Sequence, residues 1–482
     1  MDMITPSTDE ASPPTSTARG LRANRLGAPA IVFFVVAAVG PMSGMVGASA
    51  LVFDAVGPGA PMAFVLMTAV YVLFVIGYTR MSQYVVNAGG FVAYIAKSLG
   101  QQVGSAVASM SILMYTTLLC SFYGIYSVLA QGALEAVFNW HVEWYWCLFA
   151  TLVLVGVLSY KGVDISLKFL SVLLVLETIA LGAVAVAIAA QGGGVSGNSL
   201  AGFAPSHWAN ANLGVAMLWA AGVYVGVEAT VVFGEEARNR RRTIPRAAYG
   251  AVILLGIFYV FVTWALSNGV GMGSIAQVSM TDPEGFIFAQ AENHIGHFWS
   301  LWLHVQVITS FFAVLLGLNN ILSRYFFSLG RAGLMPSTLG RTHPVSQNPH
   351  RASASISVVL VVVLALFTVF GADPYKVIYQ WLIGVGTVAL LVILSLTSIS
   401  VVVFFRRQKP GAHSALATVL APLLSALCFV VITYLAIAHY GDFVGQQDNA
   451  VWLLLLIPGS ALAGLAICLI RPRGVDFSTR LD

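Results

Sequence analysis

The sequence predicts an all-α polytopic membrane protein of 12 transmembrane helices, built as two inverted repeats of five with a broken helix opening each repeat and two further helices behind them. Three observations predict it. Hydrophobic residues make up 58% of the 482 residues and charged residues only 9%, against about a half and a quarter in soluble domains. Twelve apolar runs are long enough to cross a bilayer, which needs ~20 mostly apolar residues. Nearly all basic residues fall in alternate loops between those runs. This composition excludes a soluble enzyme, a disordered chain and a collagen-like repeat.

Residues 1–25 read as a disordered cytoplasmic tail, rich in Ser, Thr and Pro over the first ~18. The first apolar run comes late and is too long for the core of a signal peptide, so no cleavable signal is expected and the run is read as the first span. The spans are 28–56, 61–86, 102–134, 143–160 and 166–190, which form the first repeat within 26–190. The second repeat, 209–406, holds 209–235, 246–270, 298–330, 353–371 and 376–405. Spans eleven and twelve, 414–440 and 450–470, occupy 414–470, and 471–482 is a cytoplasmic tail. Span four is short; spans three and eight are long enough to tilt or to run past the bilayer.

Basic residues mark the cytoplasmic side of a membrane protein. With a cytoplasmic N-terminus, 22 of the 23 Lys and Arg residues fall in the tails and the 2–3, 4–5, 6–7, 8–9 and 10–11 loop regions, and only Lys376 falls outside. A wrong span count would scramble this pattern, so it supports both the count and two cytoplasmic termini. The run Arg238, Arg240, Arg241 and Arg242 is read as such an anchor rather than as a nucleic-acid site, and the net charge of +4 is too small to imply a nucleic-acid partner.

Two spans are interrupted. Span one contains Gly40-Pro41-Met42-Ser43-Gly44, where Pro41 removes a helix N–H in mid-membrane. Span six contains Gly222-Val223-Tyr224-Val225-Gly226. Each break is followed by a span opening with Pro-x-Ala, at Pro61 and Pro245; the breaks lie 182 residues apart and the openings 184. The period is five spans, and an odd period turns the second copy upside down, which is the architecture of secondary transporters. The competing reading is two small-residue packing motifs, since glycines four apart also let helices approach closely.

A broken helix in lipid frees backbone groups that only protein, water or ligand can satisfy. The half-helix starting near Ser43–Met45 offers N–H groups to a substrate carboxylate. The carbonyls around 38–40 suit an ammonium group, so the two ends together favour a zwitterion or an amine. Gly40, Ser43, Gly44, Met45, Gly222, Tyr224 and Gly226 are therefore the candidate substrate-binding residues, with Tyr224 either a lid over the solute or core packing. Two acids sit deep in spans, Glu177 in span five and Glu228 just after the second break. An intramembrane carboxyl is costly and usually functional, and both are candidates for proton coupling, although a protonated Glu can also simply bond a neighbouring backbone. His304 in span eight is a weaker candidate. Thr309 and Ser310 are candidates for an ion site, though hydroxyls more often bond their own helix. Tyr115, Tyr123 and Tyr126 line a cavity or pack.

The four cysteines, Cys120, Cys147, Cys428 and Cys468, form no CxxC pair, so neither a disulfide framework nor a metal site is expected. No GxxxxGK[ST], HExxH or GxSxG stretch is present, which argues against an ATP-driven pump and an intramembrane enzyme.

These residues resemble the amino acid–polyamine–organocation superfamily, specifically its amino-acid permeases, over about 25–470. Three stretches carry the resemblance. One is Gly40 to Gly47. The second is Gly226-Val227-Glu228-Ala229 with Glu235-Glu236-Ala237-Arg238-Asn239 and Thr243-Ile244-Pro245-Arg246-Ala247. The third is Ser323-Arg324-Tyr325 with Gly330-Arg331-Ala332-Gly333-Leu334-Met335-Pro336. The resemblance implies a leucine-transporter-like fold with substrate between the breaks of spans one and six. The stretch ending at Glu228 is similar to that of agmatine/arginine antiporters, which implies a role in pH response. The chain departs from the family at Ala332, where an acid is common, at Arg240, where proline is common, and in span five. There, several proton-coupled relatives carry a buried lysine at a sodium-site position, and an alignment without gaps from Gly162 puts Glu177 in that place.

The function expected is a secondary active transporter for an amino acid or related amine, working by alternating access in the plasma membrane and coupled to protons, with sodium second. An exchanger and a non-transporting receptor or partner subunit are the alternatives. No cofactor, metal, nucleic acid or obligate protein partner is expected.

Overall fold

A computed structural model describes residues 27–85, 89–161, 167–194, 197–210, 212–235, 237–343, 348–407, 414–444 and 450–470. Both predicted tails lie outside the described residues, as do Gly162, Glu236 and Lys409. The described residues are helical and carry no β-strand. Eleven stretches among them are long and apolar enough to cross a membrane, so the chain is a multi-pass membrane protein. Helices are what lipid demands of such a sequence, because only they satisfy every backbone group within one segment.

The first stretch, Ala28–Met81, has 54 residues and runs through predicted spans one and two. A straight helix of that length would measure ~80 Å, more than twice the ~30 Å hydrocarbon core. It is divided at Gly40 into Ala28–Val39 and Pro41–Val56, and a 3₁₀ turn at Gly57–Gly59 leads into Ala60–Met81. The other ten stretches fall on predicted spans three to twelve. The long ones are Gln101–Phe138 with 38 residues and His297–Arg331 with 35; the short one is Trp144–Lys161 with 18. Span five is Leu167–Ala190, span seven is Arg240–Val270, and span nine is His350–Val369.

Three local features differ from the expectation. Span seven starts at Arg240, so Pro245 lies inside the helix instead of opening it; the three arginines are good helix formers, and Asn239, at φ 43°, turns the chain into them. Short helices occupy loops: Gly90–Leu99 after span two, and Ile275–Thr281 and Phe286–His294 between spans seven and eight. They are too short to cross a bilayer and so leave no span signal. Span ten opens on a π-helical turn, Pro374–Trp381. Asp373 Oδ1 caps it by accepting from the N–H groups of Tyr375 (2.9 Å) and Lys376 (2.7 Å).

Burial sorts the spans. The apolar window of Leu213–Val232, which contains the second break, is wholly buried, whereas that of Ala450–Ile470 is 22% buried and that of His350–Val369 28%. Span six therefore sits at the centre, with spans nine and twelve on the lipid side. The interruptions predicted at 40–44 and 222–226 lie in this buried centre.

Candidate substrate and proton site

The first break is a single residue. Gly40 takes φ 65°, ψ 84° between the two halves of span one, a left-handed conformation that costs a glycine little. Its N–H donates to the Val36 carbonyl (2.9 Å), and its own carbonyl accepts from the Gly44 N–H (2.8 Å) and the Ser43 hydroxyl (2.9 Å). A Cβ here would strike the Ser43 and Val314 side chains. The Ser43 N–H, in the first turn of the second half-helix, donates to Ser310 Oγ of span eight (3.2 Å).

The second break is longer. Helix Leu213–Gly222 ends in a run of turns, Gly226 takes φ 108°, and a 3₁₀ segment, Val227–Glu235, follows. The two breaks touch. A Cβ on Gly44 would lie 3.2 Å from Val223 Cβ, and one on Gly226 would lie 3.2 Å from Val39 Cγ2. Span ten closes the same centre: Gly222 faces Thr387, and the Tyr379 hydroxyl donates to the Gly47 carbonyl (2.8 Å). The glycine pairs read from the sequence thus interrupt their helices and also pack them together. Met45 is fully buried in the second half of span one.

Each buried acid sits beside one break. Glu177 of span five is 3% exposed, with the Ser310 side chain among its neighbours. Ser310 itself lies against the backbone of the first break. Glu228, 1% exposed, is held more completely. Its Oε2 accepts from the Gly226 N–H (2.9 Å), and its Oε1 accepts from the Tyr115 hydroxyl (2.8 Å). The Tyr78 hydroxyl donates to its backbone carbonyl (2.8 Å). Tyr325 stacks obliquely on Tyr115, with ring centroids 5.3 Å apart. Neither acid has a cationic partner among the described residues, where no cluster able to hold a metal is found either.

The other candidates fall elsewhere. The Tyr224 ring stacks on Tyr71 (4.9 Å) and meets Tyr259 edge-on (5.5 Å), and its hydroxyl bonds Thr68 of span two (2.6 Å). Thr309 donates to its own helix at the Gln306 carbonyl (2.9 Å) and lines a groove of about 540 Å³ with Tyr126 and Cys147, turned away from Ser310 by one residue of helix rotation. His304 stacks on Phe288 and bonds the Ser300 carbonyl (2.9 Å). Tyr123 is buried. Sequence reasoning missed Tyr78, Tyr325 and Tyr379, whose partners lie on distant spans. It also missed Glu284, half-buried between spans seven and eight. Burial and the neighbouring carboxylates Asp282 and Asp373 push the Glu284 carboxyl up to about 7.

Two interrupted helices meeting in a buried centre are the build of a membrane carrier. The family profile described as amino acid permease matches residues 26–459, and the chain belongs to that family. It is similar to the branched-chain amino acid permease BcaP of Lactococcus lactis, 25% identical over 247 residues that cover 50% of this chain and 48% of the relative. Cationic amino acid transporter 7 of Arabidopsis thaliana, a chloroplastic protein, is 25% identical over 48% of this chain and 36% of its own. The glutamate/serine transporter AimA of Bacillus subtilis is 23% identical over 63% and 58%. The matched stretches thus span between about a third and three fifths of these relatives' lengths.

Proposed function

We propose that this chain is a secondary active transporter that moves an amino acid or a related amine across the plasma membrane by alternating access, with the proton as the coupling ion. The observation that carries the reading is the contact between the two breaks, Gly44 on Val223 and Gly226 on Val39, with a buried carboxyl lacking a cationic partner beside each. Family membership supports an amino acid as the cargo. The named substrates of the relatives are branched-chain amino acids, cationic amino acids, and glutamate and serine. What these share is the α-amino acid head, and backbone groups at the breaks bind that head.

In this reading Ala28–Met81 crosses twice, giving 12 spans. Residues 26–190 and 209–406 are inverted repeats of a leucine-transporter-like fold, and both termini are cytoplasmic. The alternate placement of basic residues supports this topology. The substrate carboxylate meets the positive end of the half-helix Pro41–Val56, and the ammonium group meets the negative end of Ala28–Val39. Gly40, Ser43, Gly44, Met45, Gly222 and Gly226 form the binding region. We assign Tyr224 to packing, because its hydroxyl and ring are both engaged with span two.

The two carboxyls play different parts. The Gly226 N–H on Glu228 Oε2 cannot reverse to accept a hydrogen bond, whereas a hydroxyl can. Glu228, fixed by that N–H and by Tyr115, braces span six against span three. Glu177, whose carboxyl takes no such backbone N–H among the described residues, carries the exchanged proton. Proton is favoured over sodium because the two adjacent hydroxyls of span eight are already engaged, Ser310 by the Ser43 N–H and Thr309 by its own helix.

The test is uptake by purified protein in liposomes, with a panel of amino acids and amines, sodium absent, with and without an inward proton gradient. Gradient-driven accumulation of one solute is expected. Counterflow that ignores the gradient would make the protein an exchanger. No movement of any panel member, in counterflow or with sodium restored, would overturn the transporter reading.

A further inference from the structure

Thr387 of span ten is 1% exposed. Among the buried side chains of the described residues it is the one threonine whose hydroxyl has no hydrogen-bond partner. Thr117, Thr263 and Thr397 donate to their own helices, the usual arrangement in spans. The missing bond alone assigns nothing, because the hydroxyls of Ser49, Ser105 and Tyr71 also lack one. Position sets Thr387 apart. Of the buried polar atoms without a partner, only its Oγ1 is among the nearest neighbours of a glycine at either break: it stands 3.4 Å from where a Cβ on Gly222 would lie.

Neither backbone conformation nor packing requires glycine at 222. Its φ is not positive. A Cβ there would touch only Thr387 Oγ1 and, at 3.8 Å, Ile383 Cδ1, both at ordinary contact distance. The other glycines of the breaks are tighter, with 3.2 Å at Gly44 and Gly226 and an outright overlap at Gly40. Gly222 therefore leaves room for a methyl-sized group between spans six and ten, with a methyl of Ile383 on one side and an unpaired hydroxyl on the other. Span ten holds that hydroxyl in place. A Cβ on Gly386, beside it, would stand 2.7 Å from Leu118 Cγ of span three, and Tyr379 is bonded to the Gly47 carbonyl.

We propose that Thr387 selects the substrate's side chain, and that the substrate is a short neutral amino acid carrying a hydroxyl, L-serine or L-threonine. This rests on the transporter reading above and deepens it. Val223, next to Gly222, packs on Gly44, so the room at Gly222 lies one residue from where the breaks touch. With the α-amino acid head at the first break, the side chain points there. No charged side chain is among the nearest neighbours of the four glycines, so an ionised substrate side chain would be buried without a partner, at high cost. A substrate hydroxyl both donates and accepts, and so pairs with Thr387 either way round. An analogue without the hydroxyl leaves Thr387 unpaired, which is how a site built to bond a hydroxyl rejects such analogues.

The experiment measures equilibrium binding of radiolabelled L-serine, L-alanine, L-threonine, L-valine and L-arginine to the purified full-length protein. Wild type, Thr387→Val and Thr387→Ser are compared. In wild type L-serine binds about five- to a hundredfold tighter than L-alanine, L-threonine exceeds L-valine by a similar factor, and L-arginine binds most weakly. In Thr387→Val both preferences fall to near one while L-alanine and L-valine keep their affinity; in Thr387→Ser the preferences persist. Thr387→Val folds and melts no lower than wild type, because the hydroxyl it removes bonds nothing within the described residues. Preferences retained in Thr387→Val overturn the assignment. If that variant fails to fold, the hydroxyl has a structural partner and the assignment falls. Wild type that binds L-alanine as tightly as L-serine, or L-arginine most tightly, overturns the assignment and leaves the transporter reading standing. Binding of none of the five also overturns it; the transporter reading falls with it only if no solute moves in the uptake panel above.

Discussion

Replacing Glu228 by Gln and by Ala separates its charge from its hydrogen bonds. Glutamine fits the same cage. Its carbonyl oxygen accepts from the Gly226 N–H where Oε2 does now at 2.9 Å. Its NH₂ faces the Tyr115 hydroxyl, which lies 2.8 Å from Oε1 and can rotate to accept. Stability should therefore stay within ~1 kcal/mol of wild type, the ordinary net worth of one hydrogen bond. Alanine orphans both donors in a site that is 1% exposed. Each orphaned group costs ~1–3 kcal/mol, so the loss is ~2–6 kcal/mol before any cavity term is added. The assay is thermal unfolding of the purified variants by tryptophan fluorescence, together with gradient-driven uptake in liposomes. Glu228→Gln should melt close to wild type and still accumulate substrate. Glu228→Ala should melt well below both, and Glu177→Gln should lose accumulation while exchange persists. Equal melting of the Gln and Ala variants would refute the brace. Loss of accumulation in Glu228→Gln with its survival in Glu177→Gln would refute the division of roles between the acids.

Other substitutions test other parts of the centre. Gly40→Ala should cost ~2–5 kcal/mol, from left-handed strain and from overpacking against Ser43 and Val314. Gly371→Ala, at φ 69° with nothing within 4 Å, should cost only the ~1–2 kcal/mol of strain; equal melting of the two would mean that span eight does not press on the break. Tyr224→Phe removes the bond to Thr68 and should lower stability by about 1 kcal/mol without changing substrate affinity, and a large loss of affinity would restore its role as a lid. Glu284 sits at about 7 in the folded chain against 4.5 unfolded, so the folded state holds its proton longer. Its contribution to stability therefore falls as pH rises from about 4.5 through 7. Glu284→Gln removes that loss and should raise the melting point relative to wild type at pH 8 more than at pH 4.

The breaks were legible because their chemistry is local. A glycine four residues from another, with a proline between them in span one, announces a failed helix without reference to any partner, and Gly40 and Gly226 both take positive φ. The acids were legible for a similar reason: Glu177 and Glu228 stand alone in apolar runs. What each acid touches was not legible. Tyr115, Tyr123 and Tyr126 lie on one long helix, and nothing local says that Tyr115 is the one that reaches Glu228. Thr309 and Ser310 are neighbours of nearly equal chemistry, yet ~100° of helix rotation puts one in a groove beside Tyr126 and the other at the break. The helix Gly90–Leu99 escaped because ten residues carry no span signal, although Phe91, Val92, Tyr94 and Ile95 bury fully.

Packing and interruption, competing readings of a glycine pair in the sequence, are one device in the folded chain. A break exposes backbone to lipid unless something dense covers it, and the densest cover is another backbone. Gly226 lies against Val39 at the end of one half-helix, and Gly44 lies against Val223 at the start of the other break. Each glycine thus admits the partner that shields its neighbour's freed groups: a side chain at Gly226 would strain its own span, and one at Gly44 would press on Val223 and Tyr259. The contacts also fix how the halves can move. With separations near 3.2 Å from a would-be Cβ, neither break can hinge without displacing the other, because close-packed interiors shift between discrete arrangements and do not stretch. In the alternating-access cycle proposed above, spans one and six would rock as a pair.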